Sequence, residues 1–358
     1  MFNFSQKPAF GLDLSDLSFK AVQIEKRKGG LALTNSFTQE IPPGLVKGGE
    51  IQKEKELVEL FKKTFSQAEG GIFQNSRVVC NLPEEKVFIR VIQLPRMKEA
   101  ELEKAVIFEA EAHIPLGINE VYLGWQVIEP IFEHIDHLDV LIAAAPQTMV
   151  DKYLSVLKKS GLKPIALEPE SIAVVRSLTS KNDLTPSIIV DFGAVGTNFV
   201  IFSALAIRFT SHFNISGQIL NQAIVKELGV DEKEANRLKI EVGLDQEKEG
   251  GRVAKALKPV VDDLAKQIGE YISFYREHTT HVHGPDGAIG QVILCGGDSL
   301  LNNLANVLTE KLNLPVKMGN PLANLSSADK KRDKKSALSR KKAFAYTTAL
   351  GLALRELI

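Results

Sequence analysis

Few cysteines, no excess of either charge and no long apolar run distinguish this chain of 358 residues. Its two cysteines, Cys80 and Cys295, lie far apart in apolar segments, which argues against a clustered metal site or a disulfide framework and favours a reducing compartment. Lys and Arg together number 44, as do Asp and Glu, so the chain has no net field that attracts nucleic acid or an anionic bilayer. We therefore expect no nucleic-acid partner.

Membrane-spanning and secretory signals are also missing from the sequence. No apolar stretch approaches the roughly 20 residues that span a bilayer, and residues 1–7 lack the basic start and apolar run of a signal peptide. We expect a cytoplasmic protein that is peripheral to the membrane through its partners.

What the sequence does contain is 44% hydrophobic and 25% charged residues, the balance of an ordinary globular protein. Its length is about twice that of a usual single domain, which predicts two lobes or a domain with insertions.

Two similar segments indicate that the lobes are duplicated. Residues 10–14 and 19–25 are predicted strands joined by a polar turn, and the pattern recurs at 187–191 and 198–205 around a glycine-containing turn. We therefore predict an α/β fold with two duplicated lobes and an inserted α+β subdomain. The predicted layout is a first lobe core at 1–82 and 164–186, the inserted subdomain at 83–163, a second lobe core at 187–229 and 286–340, a helical subdomain at 230–285, and a C-terminal helix at 341–358.

Three loops carry the residues that suggest chemistry. A hydrophobic strand ends in an aspartate in each lobe, at Asp13 and at Asp191, and small residues follow. Such turns direct amides and hydroxyls at phosphate, and their carboxylates can hold Mg²⁺ through its waters. Gly296 and Gly297 follow a third apolar strand, where missing Cβ atoms let a nucleotide approach the backbone. Any one loop could use Gly and Asp for geometry alone, whereas the three together indicate a nucleotide site.

The order of these loops resembles that of the actin, sugar-kinase and chaperone ATPase superfamily. Within it, the chain more closely resembles the PilM family of type IV pilus assembly proteins, over nearly its whole length. The resembling segments include Phe10-Gly11-Leu12-Asp13, Leu94-Pro95-Arg96-Met97, Glu109-Ala110-Glu111, Ile114-Pro115-Leu116, Ile189-Val190-Asp191-Phe192-Gly193-Ala194 and Gly351-Leu352-Ala353-Leu354-Arg355. The resemblance implies an actin-like ATPase fold with the layout of the division protein FtsA, whose insertion occupies a comparable place.

The resemblance further implies that ATP and Mg²⁺ bind between the lobes, with Asp13 and Asp191 holding the metal through water. The implied nucleotide-binding residues are Asp13, Ser15, Ser18, Lys20, Asp191, Gly193, Thr197, Lys239, Gly296 and Gly297. Ser15 departs from the glycine common in the family, so its side chain either donates a hydroxyl to phosphate or crowds it. Asn236 replaces the acidic residue that commonly pairs with the lysine at position 239.

Glu170 begins a predicted helix at the place where superfamily ATPases orient the attacking water. The alternative is that its carboxylate only interacts with the positive end of the helix dipole. Because no second strong candidate for a general base is found, any ATP hydrolysis is expected to be slow.

The partner that the resemblance implies is the cytoplasmic N-terminal segment of the inner-membrane protein PilN, accepted in a groove beside the insertion. An apolar edge strand such as Phe88 to Val91 could receive this segment as an extended peptide. The implied role is a cytoplasmic scaffold for the pilus inner-membrane platform, with homo-oligomerisation left open.

Two other functions are compatible with the superfamily. An FtsA-like filament protein of cell division would need a membrane-binding terminal helix and an ability to polymerise. A small-molecule kinase would need a second substrate and an acidic base, and the sequence offers no convincing base.

Two further clusters are interpreted as loops. His278, His281 and His283 fit no helical ligand spacing and have no accompanying cysteine, which favours a polar loop over a metal site. The basic segment 330–342 is predicted to be a solvated loop; the alternative is contact with anionic lipid, worth about 1 kcal/mol per basic residue.

Overall fold

A computed structural model describes residues 7–67, 76–129, 136–180, 185–278, 288–326 and 338–358. The chain divides into two compact units. Unit 1 comprises Met1–Glu129, His134–Ser180 and Pro321–Ile358, and unit 2 comprises Pro130–Glu133 and Lys181–Asn320. Of the residues predicted as loops, His281, His283 and 330–337 lie outside the described residues. His278 is instead the last residue of a helix (Arg252–His278), and residues 340–342 of the predicted basic loop begin another helix (Arg340–Phe344). Within the described ranges, no helix is both long enough and apolar enough to cross a membrane.

The first part of unit 1 combines a large five-stranded sheet, a three-stranded sheet, a two-stranded sheet and four α-helices. Its elements are β1 (Phe10–Leu14), β2 (Ser18–Arg27), β3 (Gly30–Glu40), β4 (Val46–Lys47), β5 (Glu50–Ile51), α1 (Glu54–Gln67), β6 (Arg77–Leu82), β7 (Phe88–Pro95), α2 (Glu99–Glu111), β8 (Val121–Ile128), β9 (His137–Pro146), α3 (Gln147–Lys159), β10 (Lys163–Pro169) and α4 (Glu170–Leu178). The large sheet has the order β10-β6-β1-β2-β3. Its central strand β1 is buried along its whole length, which explains its apolar sequence.

Unit 2 repeats the sheet of unit 1. Its elements are β11 (Ser187–Phe192), β12 (Thr197–Ser203), β13 (Ala206–Phe213), α5 (Gly217–Leu228), α6 (Glu232–Glu241), α7 (Arg252–His278), β14 (Gln291–Cys295), α8 (Leu304–Leu312) and β15 (Val316–Met318). The strand order is β13-β12-β11-β14-β15. In both sheets the first three strands form an antiparallel meander, and two parallel strands follow on the other side of the first. This shared topology confirms the predicted duplication.

The segment 83–163 contains a separate three-stranded sheet of order β7-β9-β8. One face of this sheet packs on α2 through a core that includes Ile92, Val140, Ile142, Leu102 and Val106. Because neighbouring residues of a strand point to opposite faces, Val91 and Leu141 lie on the other face. Strands β7 and β8 are the two edges of this sheet.

The C-terminal segment differs from the prediction in two respects. Residues after 320 were expected in the second lobe core up to 340, but Pro321–Ile358 groups with unit 1. Asn324 explains part of this placement, because its side-chain amide donates to the carbonyl of Arg176 at 3.0 Å. The predicted single terminal helix is instead α9 (Arg340–Phe344) and α10 (Thr347–Leu354), since Tyr346 has non-helical backbone angles.

Candidate functional site

The first half of the candidate site lies at the end of β1 in unit 1. Asp13 is nearly buried and stands opposite Lys20 in the β1–β2 register. The Lys20 ammonium lies 3.4 Å from the Asp13 carboxylate. The sheet therefore brings together these two predicted residues as a carboxylate and its counter-charge.

The predicted phosphate turn of unit 1 is closed by Ser15. Its backbone amide and its hydroxyl both donate to the carbonyl of Ser18, at 3.0 Å and 2.9 Å. The Ser15 hydroxyl thus donates to a carbonyl of its own turn. The sequence predicted only that this side chain donates to phosphate or crowds it. Asp16 anchors the same turn, because its carboxylate accepts the amides of Gly48 and Gly49 at 2.7 Å and 2.9 Å.

Asn81, which sequence reasoning missed, connects this turn to Glu170. Its side chain accepts the amide of Leu14 at 2.7 Å and donates to the Leu14 carbonyl at 3.1 Å and to Glu170 Oε1 at 2.9 Å. The sequence did contain a signal for Asn81, because it is the one amide side chain in the apolar strand β6. The structure shows that this side chain is fully buried. A buried amide of this kind is expected to be hydrogen-bonded and to hold its partners in place.

The second half of the site lies at the end of β11 in unit 2. The amide of Gly193 donates to the carbonyl of Gly196 at 2.9 Å, which closes the turn that follows Asp191. Gly296 has a φ of +83°, and a Cβ there would lie 2.4 Å from Asp191 Oδ1. Only glycine fits this position, and Gly297 then begins a short 3-10 turn that ends at Leu300.

The N-terminus of α5 is bonded to the same turn. The amide of Gly217 donates to the carbonyl of Gly193 at 3.0 Å, and the next amide, of Gln218, donates to Ala194 at 3.0 Å. Thr197 is fully buried, and its hydroxyl donates to the Ile215 carbonyl at 2.5 Å. Thr197 therefore connects β12 to the segment that leads into α5.

Lys239 is buried against Asp298, with 2.5 Å between Nζ and Oδ1. It also donates to the carbonyl of Gly217 at 3.4 Å. A Cβ at Gly217 would lie 2.1 Å from the Asp298 carboxylate, so this helix start has no room for a larger residue. The resemblance implied that positions 236 and 239 act together around the adenosine. Asn236 is exposed, and the ion-pair partner of Lys239 is Asp298.

Asp298 and Gly217 were also missed by sequence reasoning. Asp298 directly follows the diglycine that was recognised in the sequence, whereas Gly217 directly follows Ser216, whose capping role is seen only in the structure. What the sequence did not show is that α5, α6 and the diglycine turn meet at one place.

Both cysteines adjoin site aspartates and are fully buried free thiols. Burial raises the pKa of the Cys80 thiol, and the charge of Asp13 raises it further. Burial likewise raises the pKa of Cys295, together with the charge of Asp191. Both side chains therefore stay protonated at neutral pH and act as small apolar core residues.

The donor set of each half suits a nucleotide phosphate with hydrated Mg²⁺ better than a protein-bound metal. Among the described residues, no group of three His, Cys, Asp or Glu side chains could hold a metal ion. Magnesium usually binds through one or two carboxylates, phosphate oxygens and several waters. Asp13 and Asp191 belong to different units, so their joint role around one ion stays a prediction.

Comparison with solved structures defines the class of this fold. EutJ from Carboxydothermus hydrogenoformans is 14% identical, with 97% of this chain and 89% of that chain covered and a TM-score of 0.55. MreB5 of Spiroplasma citri, solved bound to ADP, is also 14% identical, with 98% and 97% covered and a TM-score of 0.55. The chain has the actin-like ATPase fold.

The family model for type IV pilus assembly protein PilM matches residues 11–357, and the chain belongs to this family. A solved PilM-PilN type IV pilus biogenesis complex contains a similar chain that is 27% identical. That match covers 98% of this chain and 99% of that chain, with a TM-score of 0.81.

Proposed function

We propose that this protein is a scaffold of type IV pilus assembly that binds the N-terminal tail of a PilN-like inner-membrane protein. The observation that carries the proposal is the end-to-end structural match to the chain of the PilM-PilN complex. We place the protein in the cytoplasm, peripheral to the inner membrane through this partner. Membership of the PilM family argues against the division-filament and small-molecule kinase alternatives.

The three-stranded sheet offers an edge for an extended peptide. Val91 on the edge strand β7 is paired with Leu141 on β9, and Leu141 is paired with Gln126 on the opposite edge strand β8. All three side chains point to the face opposite α2. A peptide added to the β7 edge would gain main-chain hydrogen bonds, and apolar side chains on this face would supply specificity.

Val91→Glu is expected to weaken binding of the tail peptide at least tenfold, because it buries a charge beside the added strand. The probe is a synthetic peptide with the N-terminal sequence of the PilN protein from the same organism, measured by fluorescence anisotropy. Gln126→Glu is the matched control, since it places the same charge on the same face at the other edge. Loss of binding in Gln126→Glu alone would move the site to β8, and no binding to the wild-type chain would remove the proposed function.

We further propose that the two half-sites bind ATP with Mg²⁺. Supporting this are the glycine positions beside Asp191 and Asp298, the Asp13–Lys20 pair, and the ADP in the MreB5 structure of the same fold. The Gly296–Gly297 backbone would approach the nucleotide, Lys20 would neutralise phosphate charge, and Asp13 and Asp191 would hold Mg²⁺ through water. The bound metal would supply charge neutralisation at the phosphates.

Glu170 is the candidate for orienting an attacking water, and Asn81 fixes its position through the 2.9 Å hydrogen bond. With no second candidate base, turnover is expected to be slow, and the nucleotide acts chiefly as a ligand. Such a ligand can bias the arrangement of the protein only by binding one arrangement more tightly than another.

Asp191→Ala is expected to weaken Mg-ATP binding at least tenfold in a calorimetric titration, since the carboxylate that orients the hydrated metal is removed. Asp263→Ala is a suitable control, because it removes an exposed carboxylate from α7 of the same unit. An equal affinity in wild type and Asp191→Ala would contradict the assigned role of Asp191. No binding to the wild type would show that the chain acts through its partners alone.

A further inference from the structure

Sheet register places a histidine in line with the phosphate-turn aspartate of unit 2. Asp191 on β11 pairs with Asn198 on β12, and Asn198 pairs with His212 on β13. Directly paired residues of neighbouring strands point to the same face of a sheet. The side chains of Asp191, Asn198 and His212 therefore form one row across the end of the sheet.

The equivalent row of unit 1 provides a comparison for this position. There Asp13 pairs with Lys20, and Lys20 pairs with Thr38 on β3. The cation of unit 1 thus stands on the strand next to the aspartate, where it forms an ion pair at 3.4 Å. In unit 2 the corresponding position holds the neutral Asn198, and the basic side chain stands one strand further along the row, at His212.

Two contacts hold the His212 ring over the phosphate turn. His212 Nδ1 lies 2.6 Å from Asn198 Oδ1, so with this amide orientation Nδ1 donates to the asparagine oxygen. A Cβ added at Gly196 would lie 2.3 Å from His212 Cε1 and 2.7 Å from Nε2. The Cε1–Nε2 edge of the ring therefore rests against the turn that the Gly193 and Gly196 backbone closes, and only glycine at 196 allows this.

We propose that His212 is a phosphate-binding residue of unit 2, the counterpart of Lys20 in unit 1, and that its ligand is the polyphosphate of a nucleoside di- or triphosphate. The proposal rests on the nucleotide binding proposed above. Asn198 orients the ring through Nδ1, and Nε2 is the atom that donates to the phosphate. An imidazolium donor to a phosphate oxygen forms a charge-assisted hydrogen bond, which is stronger than a neutral one.

The test is calorimetric titration of Mg-ADP into the full chain carrying His212→Asn. The asparagine amide can still donate to Asn198 in place of Nδ1, but no group remains at the Nε2 position. Affinity for Mg-ADP is expected to fall at least tenfold. His113→Asn is the control, because it removes a histidine from the segment after α2 in unit 1, where it is paired with Glu109.

A second measurement follows His212 itself in histidine-labelled wild-type protein by NMR. Its imidazole resonance, assigned by its absence in His212→Asn and again in His212→Gln, is expected to shift with Mg-ADP and not with adenosine. If the wild type binds Mg-ADP while His212→Asn keeps full affinity, or the resonance does not move, the inference fails and the nucleotide site stands. If the wild type does not bind Mg-ADP, both the site and the inference fail.

Discussion

Replacing Gly351 with alanine is expected to lower the free energy of unfolding by about 3 kcal/mol, the upper range for forcing atoms into a packed interior. Gly351 is buried in α10, where an added Cβ would lie 1.8 Å from the carbonyl oxygen of Ala173 in α4. This neighbour is backbone, so it cannot move aside as a flexible side chain would. The two helices must separate, and the hydrogen bond from Arg176 to the Gly351 carbonyl, at 2.9 Å, would be strained with them.

Guanidinium unfolding followed by circular dichroism measures this change, and the fluorescence of the single tryptophan, Trp125, reports unit 1 separately. Gly269→Ala is the matched control, since it makes the same substitution inside helix α7, where an added Cβ meets nothing within 4 Å. There alanine is expected to stabilise by about 0.5–1 kcal/mol, because glycine is the poorer helix former. A Gly351→Ala chain as stable as the wild type would show that α4 and α10 do not pack this closely.

Removing the carboxylate of Asp298 is the other substitution with a large expected effect. Asp298→Asn leaves the Lys239 ammonium, only 5% exposed, without its counter-charge. Loss of one partner of a buried ion pair costs about 3–5 kcal/mol, because the remaining charge cannot return to water. We expect a correspondingly lower denaturation midpoint and, if Lys239 contacts the nucleotide as predicted, weaker Mg-ATP binding.

The double variant Lys239→Met with Asp298→Asn distinguishes the effect of an unpaired buried charge on stability from the effect of altered packing. It removes both charges, so most of the stability lost in Asp298→Asn should return while nucleotide binding stays weak. Glu227→Gln serves as the reference, since it breaks a pair with Lys255 that is largely exposed and should change stability little. Equal effects of Asp298→Asn and Glu227→Gln would mean that Lys239 reaches solvent.

Much of the fold was predictable because local sequence patterns determine many of its strands. The strands predicted at 10–14, 19–25, 187–191 and 198–205 are β1, β2, β11 and β12, with bounds that differ by at most two residues, since each is a short apolar or alternating run with turn residues at its ends. The strand β3 was not predicted. Its apolar residues Leu31 and Leu33 are followed by a mostly polar stretch, and its pairing with β2 is what makes it a strand.

The candidate site was predictable only in part. Strand-end aspartates and glycines are visible in the sequence because the chain must turn at those positions. Asn81 and Asp298 were missed, because their roles come from contacts with residues 67 and 59 positions away, Leu14 and Lys239. Contacts between residues so far apart in the sequence are set by the packing of helices and sheets, which local sequence patterns do not encode.

Because Pro321–Ile358 belongs to unit 1, the cores of the two units can be completed at different times during synthesis. Val22 and Ile24 of β2 share a core with Leu350, Ala353 and Leu354 of α10, and the amide of Ala9 donates to the Glu356 carboxylate at 2.8 Å. The core that β2 shares with α10 therefore cannot close during synthesis until residues 350–354 have been made. The described part of unit 2 spans 185–278 and 288–320, and all of it precedes Pro321–Ile358 in the chain, so the core of unit 2 can form before that of unit 1 is closed.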